Sequence, residues 1–317
     1  MFSHGGKVFK ASKELGLPPE AILDFSANIN PLGFPNGVAE IIKDHIKDIV
    51  HYPDPDQREI IAAAAEFFGT NSDCILPGNG SVELINLIME ALRPTKAIIP
   101  SPTFSEYGHS CRARGIPVEF IEISRTHFKL DGKFFKSVLE EVEKGSLIIL
   151  CNPNNPTGQL VPRPELVSFL EELKKRGSHL LLDEAFMDFV DDSYSLVGYI
   201  GIYSNLMILR SLTKFFALPG LRIGFVLSNP DFIKMLSFLK DPWNINTFAG
   251  VVSPYVMKDS DYIQRTRQLI AQEREWLWKE LGKIPGLLPF HPEANYIFVK
   301  MQGDTTADIL AEELKKR

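Results

Sequence analysis

The sequence predicts an α/β fold built on a mostly parallel sheet, with a smaller lobe attached. Apolar runs rich in Ile, Leu and Val alternate with longer helical patterns from about residue 75 to about residue 230, which is the rhythm of βαβ units. Several of those runs end in polar or glycine-bearing turns, and in an open parallel sheet ligands bind beyond the carboxyl ends of the strands. The chain has 317 residues, more than one hydrophobic core usually organises, so a second lobe is expected.

Taken in chain order, the clearest strands are AIIP (97–100), VEFIEI (118–123), LIILC (147–151), HLLLD (179–183), MILR (207–210) and IGFVL (223–227). SVELINLIMEAL (81–92) is apolar on nearly every side, as a helix packed inside the molecule should be. PELVSFLEELKKRG (164–177) reads as a solvent-facing helix. Pro164 stands near its start, Lys174 to Arg176 in its last turn and Gly177 just past its end. DYIQRTRQLIAQEREWLWKEL (261–281) is a long helix leading out of the sheet, and PGLLPFHPEANYIFVKM after it reads as strands of the second lobe. Pro-rich turns at 31–37 and 52–56 are ordered connections rather than a flexible linker.

Composition narrows the function. Hydrophobic residues make up 44% and charged residues 23%, ordinary for a chain that folds around a core. With a net charge of −6 and a pI of about 5.7, no electrostatic footprint for a phosphodiester backbone exists, and nucleic acid is not expected as a partner. No apolar run is long enough to span a bilayer, and MFSHGGKVFKASKELG lacks the apolar core of a signal peptide. A cytoplasmic protein with no membrane partner is expected. Cys74, Cys111 and Cys151 are odd in number and lack metal-ligand spacing, so they read as reduced thiols with no metal.

The chemistry concentrates in four segments. RSLTKFFALPGLRIGF (210–225) follows a strand and sets Lys214 among hydroxyls, with Arg222 eight residues on. A lone S-x-x-K is more often a solvated lysine; its company changes that reading. LLLDEAF (180–186) ends a buried strand with Asp183 and Glu184, and CNPNNPTG (151–158) ends another with Asn154 and Asn155. LPGNGSVELI (76–85) is a Gly-rich turn opening the buried helix, where free N–H groups and the helix dipole favour a phosphate. Taken alone GNGS could equally be a plain turn, and either asparagine could simply form an Asx-turn.

In order, spacing and context the four segments together resemble the fold type I pyridoxal-phosphate enzymes, the aspartate aminotransferase superfamily, over nearly the whole chain. The resemblance is greatest to the branch holding histidinol-phosphate aminotransferases and threonine-phosphate decarboxylases. HGGKVFKASKELGLPPEAILDFSANINPLGFP (4–35) is similar to the decarboxylases in particular. The implied fold is a three-layer large domain over residues 35–255, with residues 1–34 and 256–317 forming a smaller α+β lobe. The implied reaction is decarboxylation of L-threonine O-3-phosphate to (R)-1-amino-2-propanol O-2-phosphate in cobalamin biosynthesis. A histidinol-phosphate or related class I/II aminotransferase is the alternative.

The resemblance also implies roles. Lys214 would bond the carbonyl of pyridoxal 5'-phosphate, Asp183 would sit under the pyridine nitrogen, and Asn155 would hydrogen-bond the phenolic oxygen. Ser211, Arg222, Gly80, Ser81 and the backbone at Val82 would hold the cofactor phosphate. Tyr107 would stack on the ring, with Phe104 as a possible substitute, and Ala185 would pack on the opposite face. Tyr52 would reach the phosphate of a neighbouring subunit, which implies a homodimer with shared sites. For the substrate, a small phosphorylated amino acid, Asn155 and Asn30 could assist in gripping the carboxylate, and His4 with its neighbours could bind the phosphate. Two departures stand out. Phe186 occupies a position where many aminotransferases carry a tyrosine, and the family's carboxylate-gripping arginine is expected beyond Arg317.

Overall fold

The computed structural model describes residues 5–316. Seven strands form the main sheet: β1 (Ile75–Gly78), β2 (Ala97–Ser101), β3 (Val118–Glu122), β4 (Leu147–Cys151), β5 (His179–Asp183), β6 (Leu206–Ser211) and β7 (Gly224–Leu227). Their spatial order is β1-β7-β6-β5-β4-β2-β3. Every pair from β3 across to β6 is parallel, while β7 runs antiparallel to both β6 and β1. Only β7 is therefore reversed.

The middle of this sheet explains why its sequence is so uniformly apolar. Along β4, Ile148 and Leu150 join one buried cluster while Leu147, Ile149 and Cys151 join a second on the other face. A strand covered on both faces has no position left for a polar residue. The helix Ser81–Leu92 packs into one of these layers through Leu84, Ile85, Leu87, Ile88 and Met89. The helix Arg163–Lys175 buries Leu166, Phe169, Leu170 and Leu173 and turns its other face to water; Gly177 beyond it takes a φ of 65°.

Five of the six expected strands keep the parallel arrangement, and the sixth, β7, breaks it. A further strand was unforeseen: residues 75–78 form β1, inside a segment that reads as the start of a turn. Pro77 and Gly78 are poor strand formers. They are tolerated because β1 is the edge of the sheet, where a missing N–H breaks nothing on the outer side.

The long helix spans Ser260–Leu281, and only Tyr262, Thr266 and Ile270 in its first half are buried. It carries the chain away from the sheet to a two-stranded antiparallel pair, β8 (Leu287–Pro289) and β9 (Val299–Met301). Among the described residues no helix is long and apolar enough to cross a membrane, and no group of acidic, histidine or cysteine side chains could hold a metal ion. The three cysteines are buried and free.

Behind the end of β5 and β6 lies a buried ionic network. Arg210, 3% exposed, pairs with Glu184 at 3.2 Å and with Asp188, and its guanidinium sits 4.9 Å from the centre of the Phe68 ring. Glu184 also accepts from the Ser195 hydroxyl at 2.6 Å and the Leu196 N–H at 2.9 Å. Arg210→Met would strand two buried carboxylates, so we expect stability in urea to fall by about 3–5 kcal/mol. A loss below about 1 kcal/mol would show that the network does not brace this part of the fold.

Candidate active site

One edge of the sheet collects the polar residues. The carboxyl ends of β4, β5 and β6 place Asn155, Asp183 and Lys214 there, and the reversal of β7 delivers Arg222, just before its amino end, to the same edge. In the ladder, Cys151 is paired with Asp183, and Ser211 and Gly78 both with Gly224. Residues distant in sequence are thus fixed side by side by backbone pairing.

Lys214 lies in the short helix Leu212–Phe215, capped by Ser211, whose hydroxyl accepts from the Thr213 N–H and lies 2.8 Å from the Thr213 hydroxyl. Burial lowers the Lys214 ammonium below the ordinary lysine range, and Arg222 lowers it further against the opposing pull of Asp183. The result is an amine more readily neutral, hence more nucleophilic, than a surface lysine.

Asp183 is 4% exposed. Its Oδ2 accepts from the Tyr107 hydroxyl at 2.6 Å and its Oδ1 from the Ala185 N–H at 2.9 Å. Burial pushes this carboxyl up, and the two hydrogen bonds with the Lys214 charge pull it back.

This geometry corrects the expectation for Tyr107. Its ring is fully buried, with 0% exposure, so it offers no face to a stacking ligand. Phe104, partly exposed, packs edge-on against it with centroids 5.4 Å apart. The aromatic that can face a ring at this edge is Phe104. Asn30 is corrected as well. Its amide nitrogen is within 2.8–2.9 Å of the Phe215 carbonyl, the Tyr262 hydroxyl and the Thr266 hydroxyl, and its Oδ1 accepts from the Leu32 N–H. An amide so fully engaged has nothing left for a substrate. Its backbone N–H bonds the Lys214 carbonyl at 3.1 Å, so it clamps the amino-terminal segment to the lysine.

The two asparagines of NPNNPTG separate cleanly. Asn154 donates to the Pro102 carbonyl and the Thr157 hydroxyl and accepts from the Thr103 hydroxyl, a loop-building set. Asn155 is half-buried, and among the described residues no hydrogen bond ties up its side chain.

A cradle lies where the helix Ser81–Leu92 begins. Gly80 caps it at a φ of 77°, and a Cβ there would sit 2.2 Å from Arg222 Nη2. Only glycine lets the guanidinium lie over the helix start. A Cβ at Gly224 would come within 3.0 Å of the Ser81 nitrogen, so this glycine allows the sheet to approach the same turn. The unpaired N–H groups of the first turn at Ser81 and Val82, the Arg222 guanidinium and the Ser211 hydroxyl suit a phosphate. Together with a lysine of lowered basicity and a buried carboxylate, this cradle fits pyridoxal phosphate.

Sequence reasoning missed what shapes the cradle. Glu83 Oε2 accepts the Asn79 N–H and the Asn244 side-chain amide at 3.0 Å; Asn244 also donates to the Pro77 carbonyl and accepts from Gln57 at 2.6 Å. Gln57 and Asn244 are 187 positions apart, and no local signal joins them. Tyr296, beyond β8, was also missed; its hydroxyl donates to the Asn154 carbonyl at 3.0 Å and its ring meets Phe186 edge-on at 4.9 Å. Ala185 is half-buried against the core. Tyr52 is 78% exposed and stacked on Trp243 at 4.4 Å. His4 lies outside the described residues.

The family model for aminotransferases of class I and II matches residues 20–317. The chain belongs to that family. It is accordingly an enzyme that depends on pyridoxal phosphate. It is 32% identical over 302 residues to the threonine-phosphate decarboxylase of Salmonella typhimurium, covering 95% of this chain and 82% of that one. The histidinol-phosphate aminotransferase of Clostridium acetobutylicum superimposes with a TM-score of 0.85 at 32% identity, over 93% of this chain and 87% of that one. The L-threonine-O-3-phosphate decarboxylase of Porphyromonas gingivalis shares the fold, with a TM-score of 0.79 at 23% identity, over 93% of this chain and 86% of that one.

The lowered basicity of Lys214 can be measured directly. In cofactor-free protein its acetylation should reach half-maximal rate below the ordinary lysine value of 10.5. Arg222→Leu removes one of the two lowering causes and should move that midpoint upward. An unmoved midpoint would mean that Arg222 does not act on the lysine.

Proposed function

We propose that this enzyme decarboxylates L-threonine O-3-phosphate to (R)-1-amino-2-propanol O-2-phosphate, a step of cobalamin biosynthesis in the cytoplasm. The observation that carries this reading is the position of the segment resembling the decarboxylases. FSANINPLG (25–33) is pinned to the reactive lysine: the Asn30 N–H bonds the Lys214 carbonyl, and its amide bonds the Phe215 carbonyl. In this reading the stretch that separates the two relatives would wall one side of the substrate space. The threonine-phosphate decarboxylase of Salmonella typhimurium, at 32% identity over 95% of the chain, supports it. Equal identity to the Clostridium acetobutylicum aminotransferase favours histidinol-phosphate transamination as the second reading.

Lys214, Asp183, Asn155, Ser211, Arg222, Gly80, Ser81 and Val82 would hold the cofactor, with Phe104 on one face of its ring and Ala185 on the other. When bound, pyridoxal phosphate supplies a sink for the electron pair released at the substrate Cα. Asp183, ionised, favours a protonated ring nitrogen and so deepens that sink. Lys214 Nζ acts at the carbonyl as nucleophile, and it stands ready to return a proton to Cα once carbon dioxide has left. In transamination the same amine would instead remove the Cα proton. The site selects between these outcomes by which Cα bond it holds perpendicular to the ring plane. Phe186 offers no hydroxyl to the phenolic oxygen, which leaves Asn155 as the donor named for it.

Residues 35–255 form the cofactor-binding domain in this reading, and residues 1–34 with 256–317 the smaller lobe. The enzyme acts as a homodimer in which exposed Tyr52 completes the partner's phosphate site.

The protein should release carbon dioxide from L-threonine O-3-phosphate with no keto-acid acceptor. Keto-acid-dependent turnover of histidinol phosphate, with no carbon dioxide from threonine phosphate, would replace the decarboxylase reading with the second one. For the dimer, Tyr52→Phe subunits can be mixed with Lys214→Ala subunits. Each heterodimer should then hold one site with neither defect and one with both. Activities that simply average the two parents would exclude a shared site.

A further inference from the structure

The groups around Asp183 do more than surround it. Tyr107, on the helix Glu106–Ala113, donates to Oδ2 at 2.6 Å, and the Ala185 N–H donates to Oδ1 at 2.9 Å, so each oxygen has one fixed donor. Tyr107 is itself closely packed. It is fully buried, with Phe104 edge-on against it. We propose that Tyr107 is a positioning residue, whose phenol keeps the Asp183 carboxylate ionised and oriented for the ring nitrogen of the cofactor. This rests on the role given to Asp183 above.

The charges and titratable groups facing Asp183 fix the direction of the effect. Lys214 supplies the nearby positive charge; Cys151, paired beside it in the sheet, and Tyr296 are neutral groups whose ionisation burial opposes. Burial and the adjacent carboxylate hold the Tyr107 phenol far above its ordinary range, so it is a committed donor rather than a competing anion. Among the influences that favour the ionised carboxylate, the Tyr107 hydrogen bond ranks first, ahead of the Ala185 N–H and Lys214. A hydrogen bond to the charged form favours that form. Without the phenol the carboxylate would take up a proton more readily, and it would also be free to rotate about its last bond.

Tyr107→Phe tests this, because it removes one oxygen and keeps the ring that fills the slot. In cofactor-free protein, carbon-13 NMR of the labelled Asp183 carboxyl should show its titration midpoint rising by about one pH unit, a tenfold change in proton affinity. In the loaded enzyme, nitrogen-15 NMR of the labelled cofactor should show a smaller protonated fraction at the ring nitrogen. Turnover should fall about tenfold with KM nearly unchanged. Cys111→Ala, one turn along the same helix, controls for lost packing and should leave the Asp183 midpoint in place. If Tyr107→Phe does not fold, 3-fluorotyrosine at position 107 serves instead. Its more acidic phenol is a stronger donor and should lower the midpoint. A midpoint that stays put in Tyr107→Phe, or in the 3-fluorotyrosine protein where that one is measured instead, would overturn the proposal. Asp183→Asn separates the two claims. If it leaves the ring-nitrogen signal unchanged, the role of Asp183 itself fails; if it moves that signal while Tyr107→Phe does not, only the role of Tyr107 fails.

Discussion

A carboxylate at the end of a central strand, 4% exposed, is the constraint on which this site depends. Left alone, Asp183 would take up a proton, since burial of an unpaired charge is among the largest penalties in a protein interior. Three neighbours oppose this: the Tyr107 hydroxyl, the Ala185 N–H and the Lys214 ammonium. Each comes from a different stretch of chain, and each is in turn held by the sheet or its helices. Lys214 benefits in the opposite sense, because burial and Arg222 make its amine easier to deprotonate. The carboxyl and the amine are both shifted by their surroundings at the same edge of one sheet.

Topology supplies the rest. With six strands pointing one way, their carboxyl ends gather side chains at one edge, but an amino end can reach that edge only from a reversed strand. β7 is that strand, and Arg222 is what it delivers. Gly224 then allows close approach to the start of the helix Ser81–Leu92, and Gly80 leaves room for the guanidinium above it. A phosphate cradle thus requires two glycines that carry no chemistry of their own.

What the sequence made legible follows from the range of the forces involved. Uniformly apolar runs under two covering layers gave β4 and β5 to the residue, and helix-terminus signals bounded Arg163–Lys175 closely. Lys214, Asp183, Asn155 and Arg222 could be singled out because each sits in a local motif at a strand end, and the sheet gathers them at one edge. Tyr107 was assigned the wrong partner because spacing cannot tell a ring facing a ligand from one tucked behind a carboxylate. Asn30 looked available because its three partners lie at Phe215, Tyr262 and Thr266, far along the chain. The Gln57–Asn244–Glu83 chain was illegible for the same reason. β1 escaped notice because an edge position tolerates a Pro-Gly pair that any central strand would reject.

The Asn30 clamp also bears on how one scaffold can host two reactions. The residues that hold and tune the cofactor serve either outcome, since both begin by weakening a bond at the substrate Cα. Choice between bonds is a matter of substrate orientation, and orientation is set by whatever walls the space beside the lysine. In the proposed reading that wall would be the segment around Asn30, which is bonded to the backbone at both Lys214 and Phe215. The Asn28 carbonyl next to it accepts from Asn295, between β8 and β9, at 2.9 Å. The segment is therefore tied to the lysine turn on one side and to the stretch between β8 and β9 on the other. A displacement of it would be felt at the backbone of Lys214 itself. Under the function proposed above, this amino-terminal segment is where a decarboxylase and an aminotransferase built on the same cofactor site would differ.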